Sequence, residues 1–118
     1  MKIALLGYGK MGIAIEKVAL SRGHEIVLRK TSSTSFDGLA LADVAIDFSI
    51  PNAAVCNISK CIDTNIPIVC GTTGWLSQYE EMVAFCESKK GAFIYGSNFS
   101  LGVNLFFEVQ FHVHHLGW

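Results

Sequence analysis

The sequence predicts an α/β fold built on a doubly wound parallel sheet. Three observations carry this. Short apolar runs recur along the chain, closed by glycine or polar residues. Between them lie stretches in which apolar residues return every three or four positions, the helical period. The two kinds of segment alternate, and strands that are apolar throughout belong to parallel sheets covered on both faces by crossover helices.

The elements follow in order. Lys2–Leu6 is an apolar run that ends in Gly7, a buried strand. Residues 11–22 have helical spacing, with Met11, Ala14, Ile15, Val18 and Ala19 on one face and Gly23 placed to stop the helix. Residues 24–28 are a second strand, and the Ser/Thr cluster at 31–35 is a loop. Residues 44–48 form a third strand. Pro51 suits the first turn of a helix whose buried face carries Val55, Ile58 and Ile62 and which ends near Asn65. Residues 67–70 form a fourth strand, closed by Gly71-Thr72-Thr73-Gly74. Ser77 and Glu80 have capping-box spacing, so a helix is predicted from Ser77 to about Lys90, stopped by Gly91. Phe93–Tyr95 is a fifth strand. A further helix is expected from Ser100, with Leu101, Leu105 and Val109 on one side.

Composition limits the function. The 118 residues are 51% apolar and carry 9 basic against 10 acidic side chains, a net charge of −1. That argues for a single folded domain and against disorder, and no basic run invites a nucleic acid. The longest uncharged stretch, residues 91–107, is interrupted by Ser97, Asn98, Ser100 and Asn104, whereas a spanning helix needs about 20 mostly apolar residues. No membrane partner and no signal peptide are expected, and the location expected is cytoplasmic. Cys56, Cys61, Cys70 and Cys86 lack metal or redox spacing and are expected as small buried hydrophobes.

The strongest local signal is Gly7-Tyr8-Gly9-Lys10-Met11-Gly12, between a strand and a helix. It matches the Rossmann dinucleotide fingerprint. Gly7 permits the tight turn, Gly9 lets backbone approach a pyrophosphate at the helix N-terminus, and Gly12 lets helix and strand pack closely. About 20 residues on, an acid would bind the ribose of NAD. The chain instead has Leu28-Arg29-Lys30-Thr31-Ser32. Two cations and two hydroxyls suit a 2′-phosphate, so NADP(H) is favoured and NAD(H) stays open; the alternative is a solvated strand end. Asp47-Phe48-Ser49, Gly71-Thr72-Thr73-Gly74 and Ser97-Asn98-Phe99-Ser100 each follow a predicted strand. They therefore fall on the same ligand-binding edge of the sheet. Thr72 and Thr73 can hydrogen-bond a carboxamide or carboxylate, and Phe48 and Phe99 can flank a nicotinamide ring.

With Val44-Ala45-Ile46-Asp47-Phe48-Ser49 and Ser97-Asn98-Phe99-Ser100-Leu101-Gly102-Val103-Asn104 added to the glycine motifs, the sequence resembles the 4-hydroxy-tetrahydrodipicolinate reductases of bacterial lysine and diaminopimelate synthesis. The resemblance covers residues 1 to about 109. It implies pyrophosphate contacts from Gly7, Gly9, Lys10, Met11 and Gly12, and a 2′-phosphate contact from Arg29. It implies a nicotinamide surround of Phe48, Ser49, Gly71, Thr72, Thr73, Ser97, Asn98 and Phe99. The implied reaction is hydride transfer from the nicotinamide to a small cyclic dicarboxylate.

The family's substrate-binding α+β domain, with its His-His pair, Lys and Asp-Ala-Pro-Ser-Gly-Thr loop, is not found in these residues. The expectation is a cofactor-binding domain over 1–109 with little or no turnover alone. Residues 110–118 are then a tail where the family pattern is lost by truncation or frameshift. His112, His114 and His115 in that tail are assigned neither a catalytic nor a metal role. The resemblance implies a homotetramer assembled largely through the second domain, which leaves the oligomeric state of this chain open. The rival expectation is a stand-alone dinucleotide-binding module for sensing or interaction, or a non-catalytic fragment.

Overall fold

A computed structural model describes residues 1–96. Five strands, β1 (Lys2–Leu6), β2 (Glu25–Lys30), β3 (Val44–Asp47), β4 (Ile68–Cys70) and β5 (Phe93–Tyr95), pair in parallel in the order β2-β1-β3-β4-β5. Helices α1 (Lys10–Ser21), α2 (Pro51–Thr64) and α3 (Tyr79–Lys89) connect them. The doubly wound α/β expectation is borne out. The helix predicted from Ser100 lies outside the described residues.

Alternation along each strand sends side chains to opposite faces of the sheet. Ala4, Leu6, Ala45, Ile68, Cys70, Phe93 and Tyr95 join Ile58, Cys61, Met82 and Cys86 in the larger core, beneath α2 and α3. Ile3, Leu5 and Ile26 meet Ala19 of α1 on the other face. On that second face Leu5, Ile46, Val69 and Ile94 form one row across four strands, and the last three are only half-buried.

Strand β2 contains a bulge. Ile3 pairs with Ile26, but Ala4 pairs with Leu28, so Val27 is an extra residue in the ladder. The slip turns every later side chain of β2 to the opposite face from the one it would otherwise occupy. Leu28 joins the larger core and Ile26 the smaller, although they are two positions apart. Gly38 packs against the bulge, where a Cβ would lie 2.6 Å from the Val27 carbonyl oxygen.

Helix boundaries follow the sequence signals with three corrections. Helix α1 closes as Gly23 predicts, its N–H bonding Leu20 at 3.1 Å while His24 bonds Ala19 at 3.0 Å. Its predicted face is more open than expected: Met11 and Val18 are each 51% exposed, and Gly12 and Ala19 provide the buried contact. Those two small residues bring α1 close to the sheet, and the larger side chains flank the contact. Ser77 does not cap α3. Residues Leu76–Gln78 form a 3-10 turn instead, because buried Trp75 pins the chain and its carbonyl accepts from Gln78 N–H at 2.9 Å. At the other end Lys90, not Gly91, takes the left-handed conformation, with φ 54°. Gly91 instead sits against α2, where a Cβ would make a tight contact of 3.3 Å with Ile62 Cγ2. Among the cysteines, Cys61, Cys70 and Cys86 are buried as expected, but Cys56 is exposed on the outer side of α2.

Candidate functional site

The connection from β1 to α1 forms one end of the site. Gly7 has φ +108°, and a Cβ there would collide with the Phe48 carbonyl. A Cβ on Gly12 would be driven into the Gly7 carbonyl oxygen. Gly9, by contrast, faces open space and stands at the N-cap of α1 with no side-chain cap. The first helical bond runs from Ile13 N–H to Gly9 C=O at 3.0 Å. The amides of Lys10, Met11 and Gly12 precede it and have no acceptor within the helix.

Two adjoining depressions run along the carboxyl ends of the strands. One, of about 420 Å³, is lined by Gly7, Tyr8 and Gly9 on one side, by Lys30, Thr31 and Ser32 on another, and by Phe48, Ser49, Ile50, Ala53 and Asn57. The second, of about 270 Å³, is lined by Met11, Phe48, Ser49, Pro51, Gly71, Thr72 and Thr73. Phe48 and Ser49 belong to both, so the pair form one groove. It lies where β1 and β3 send their connections to opposite sides, the position at which open α/β sheets bind ligands. Phe48 packs so closely on Gly71 that a Cβ at 71 would enter its ring.

Strand alternation separates the two predicted cations, and the bulge in β2 decides which of them faces the groove. Arg29 pairs with Leu5 and Lys30 with Leu6, so they point to opposite faces. Lys30 lines the groove, donates to the Thr31 carbonyl at 2.7 Å and lies 4.9 Å from the Phe36 ring centroid. Arg29 turns to α1, where its Nε meets Glu16 Oε1 at 2.5 Å. The bond from Arg29 holds the Glu16 carboxyl below its ordinary value of 4.5, opposed by partial desolvation and assisted by the Tyr8 hydroxyl. A carboxyl lowered on folding adds stability above its unfolded value and loses it as pH falls through the folded one. Glu16→Gln is therefore expected to lower Tm slightly at neutral pH. The difference from the parent should vanish in melts taken progressively below pH 4.5.

Beneath the groove lies a buried polar network that the motif reading missed. Asp47, the last residue of β3, is fully buried. Its Oδ1 accepts from Ser49 Oγ and Asn57 Nδ2, each at 2.7 Å. Its Oδ2 accepts from Thr72 Oγ1 at 2.6 Å and Cys70 Sγ at 3.2 Å. Thr72 Oγ1 in turn accepts from Ser49 N–H at 2.8 Å, and the Thr72 carbonyl accepts from Trp75 Nε1 at 2.6 Å. Burial, followed by the charge of Asp47, raises both nearby thiols, that of Cys61 to about 12 and that of Cys70 further, so neither is a nucleophile. The available signal was an acid closing an otherwise apolar strand, with Asn57 on the buried face of α2.

Of the predicted site residues, Gly7, Gly9, Met11, Lys30, Phe48, Ser49, Gly71, Thr72 and Thr73 line the groove. Gly12 supports it from behind. The Lys10 side chain is exposed outside its lining, and Arg29 is held by Glu16. Ser97, Asn98, Phe99, His112, His114 and His115 lie outside the described residues.

Comparison with known proteins gives the family. The model of "Dihydrodipicolinate reductase, N-terminus" matches residues 1–99. The chain is 50% identical over 112 residues to the 4-hydroxy-tetrahydrodipicolinate reductase of Christiangramia forsetii, covering 93% of this chain and 47% of that protein. It is 32% identical over 97 residues to the enzyme of that name from Neisseria gonorrhoeae, covering 80% and 36%. The chain thus spans half or less of the length of these relatives. Two solved structures share the fold. Dipicolinate-bound dihydrodipicolinate reductase from Paenisporosarcina sp. TG-14 has a TM-score of 0.66 at 20% identity over 85% of this chain and 48% of that one. An imine reductase of Streptomyces aurantiacus has a TM-score of 0.67 at 15% identity over 86% and 42%. With the family model matched from the first strand through the fifth, the chain belongs to the dihydrodipicolinate reductase family, whose N-terminal part it carries.

Proposed function

We propose that residues 1–109 form the NADP(H)-binding part of a 4-hydroxy-tetrahydrodipicolinate reductase, a cytoplasmic enzyme of lysine and diaminopimelate synthesis. The observation that carries this reading is the continuous groove from the uncapped start of α1, past Lys30, to Phe48 and Thr72. Its chemistry fits a dinucleotide. Gly9 leaves open space where a Cβ would stand, so a diphosphate can reach the amides of residues 10–12 at the positive end of the helix. Lys30, Thr31 and Ser32 offer a cation and two hydroxyls to a 2′-phosphate, while Arg29 braces β2 against α1 through Glu16. Phe48, Ser49, Gly71, Thr72 and Thr73 frame the nicotinamide end, completed by Ser97, Asn98 and Phe99 on the sequence pattern. When bound, the nicotinamide supplies a hydride for a cyclic dicarboxylate held by the second half of the whole protein. This chain's residues bind and orient the cofactor, and the 118 residues alone are not expected to turn over.

Titration calorimetry of the full chain with NADPH and NADH tests the reading. Lys30→Ala is expected to weaken NADPH by about ten- to a hundredfold, the worth of a hydrogen bond to a charged group, and to leave NADH nearly unchanged. Arg29→Ala is expected to have a smaller effect on NADPH than Lys30→Ala. Failure of the parent chain to bind either dinucleotide would overturn the proposal.

A further inference from the structure

We infer that Asp47 is a positioning residue that fixes the hydrogen-bond polarity of the nicotinamide end of the groove, so that Ser49 presents only lone pairs to a ligand. The inference rests on the reading above that a nicotinamide dinucleotide fills this groove.

Asp47 cannot touch a ligand, being fully enclosed. Neither of the ion pairs found among the described residues involves it. Its carboxylate is accommodated by four side-chain donors instead, and burial of such a group is tolerable only with its lone pairs engaged. A carboxylate accepts and does not donate, so each hydroxyl beside it must spend its single proton on it. Ser49 Oγ is 2.7 Å from Asp47 Oδ1 and 3.5 Å from both the Ile50 carbonyl and Thr72 Oγ1, so the proton goes to Asp47. Thr72 Oγ1 spends its proton on Oδ2 and then can only accept, which it does from Ser49 N–H.

Both hydroxyls are thereby locked as acceptors on their outer side. Asn57 Nδ2 occupies one direction at Ser49 Oγ at 3.3 Å, and Ser49 lines both halves of the groove. The group recognised by Ser49 must therefore donate. On a nicotinamide that group is the carboxamide NH2. A nicotinic acid ring, with a carboxylate in the same place, has no proton to offer and meets a lone pair instead.

Asp47→Asn keeps the shape; the Asn57 donor holds the amide oxygen in the Oδ1 place, so the new NH2 faces Thr72 Oγ1 and releases that hydroxyl's proton toward the groove. The test is calorimetric binding by the full chain of NADP+, its nicotinic acid analogue, and adenosine 2′,5′-bisphosphate, which reports the adenosine end alone. The parent chain is expected to prefer NADP+ over the acid analogue by about tenfold or more, one hydrogen bond exchanged for a repulsion. In Asp47→Asn the preference should fall to within about threefold, while bisphosphate binding persists. A structural role alone would weaken both dinucleotides together and keep their ratio, and that result overturns the inference. If Asp47→Asn fails to bind the bisphosphate, Ser49→Ala carries the test, because Asp47 keeps three donors there. Its loss of the preference supports the inference, and retention overturns it. A parent chain that binds the bisphosphate and neither dinucleotide refutes the nicotinamide assignment of the groove, and this inference with it. A parent chain that binds both dinucleotides equally refutes the polarity of Ser49 alone.

Discussion

Trp75→Ala is expected to cost the domain about 3–5 kcal/mol, the usual range for emptying a large aromatic site in a core. Trp75 is 2% exposed and is the largest of the fully buried side chains. Its ring lies edge-on to Tyr95 at 5.5 Å and also meets Tyr79 at 6.0 Å and Phe93 at 6.4 Å. The substitution also removes the indole donor from the Thr72 carbonyl. Set against a total stability of about 5–15 kcal/mol, this leaves a domain near its unfolding threshold. Urea denaturation measures the loss. Trp75→Phe should retain most of the packing and lose about 1–3 kcal/mol, largely through the unpaired carbonyl. A Trp75→Ala loss below about 1 kcal/mol would contradict the packing described here.

Gly12→Ala gives the second large effect, and its sign is the informative part. In an exposed helix, glycine to alanine stabilises by about 1 kcal/mol. At position 12 the added methyl meets the backbone carbonyl of Gly7, which has no flexible end to yield. The helix must lift or the turn must open, at a cost of about 1–3 kcal/mol. Either movement displaces the amides of residues 10–12, so NADPH binding should fall by at least about a hundredfold, an effect of the size seen when pre-positioned donors are misplaced. Gly9→Ala is the control. Nothing lies within 4 Å of its Cβ, so the stability loss should be limited to alanine's poorer N-cap preference, about 1 kcal/mol or less, while binding falls. Equal stability losses at 9 and 12 would contradict the division of labour within the turn.

Much of the fold was legible because the signals were local. An apolar strand closed by Gly7, proline at the first turn of α2 and Asn65 at its end each act within a few residues. The glycine fingerprint was legible because its demands are steric and its residues are contiguous. Other features depend on partners distant in sequence. The Asp47 network joins residues 47, 49, 57, 70 and 72 across two strands, a helix and two loops. Ser77 and Glu80 have the spacing of a cap, but the tertiary hold on Trp75 decides where the turn winds. Cys56 follows the same helical pattern as Cys61, yet it lies on the face of α2 turned away from the sheet. Arg29 and Lys30 read as equivalent because no sequence signal marks Val27 as the extra residue of its ladder.

That extra residue has a consequence for which charge reaches the groove. Because Val27 is unpaired, the charge that meets the groove is chosen by the register of β2 against β1 and not by the chemistry of its end. Pairing Val27 with Ala4 in simple register would set Leu28 opposite Leu5 and Arg29 opposite Leu6, exchange the directions of Arg29 and Lys30, and break the pair with Glu16, whereas deleting Val27 would leave both cations where they are. A one-residue slip of pairing would then replace a flexible ammonium with a planar guanidinium suited to gripping phosphate in two places. Which cation meets the groove is thus settled by one notch of strand register, with no change to any residue's chemistry.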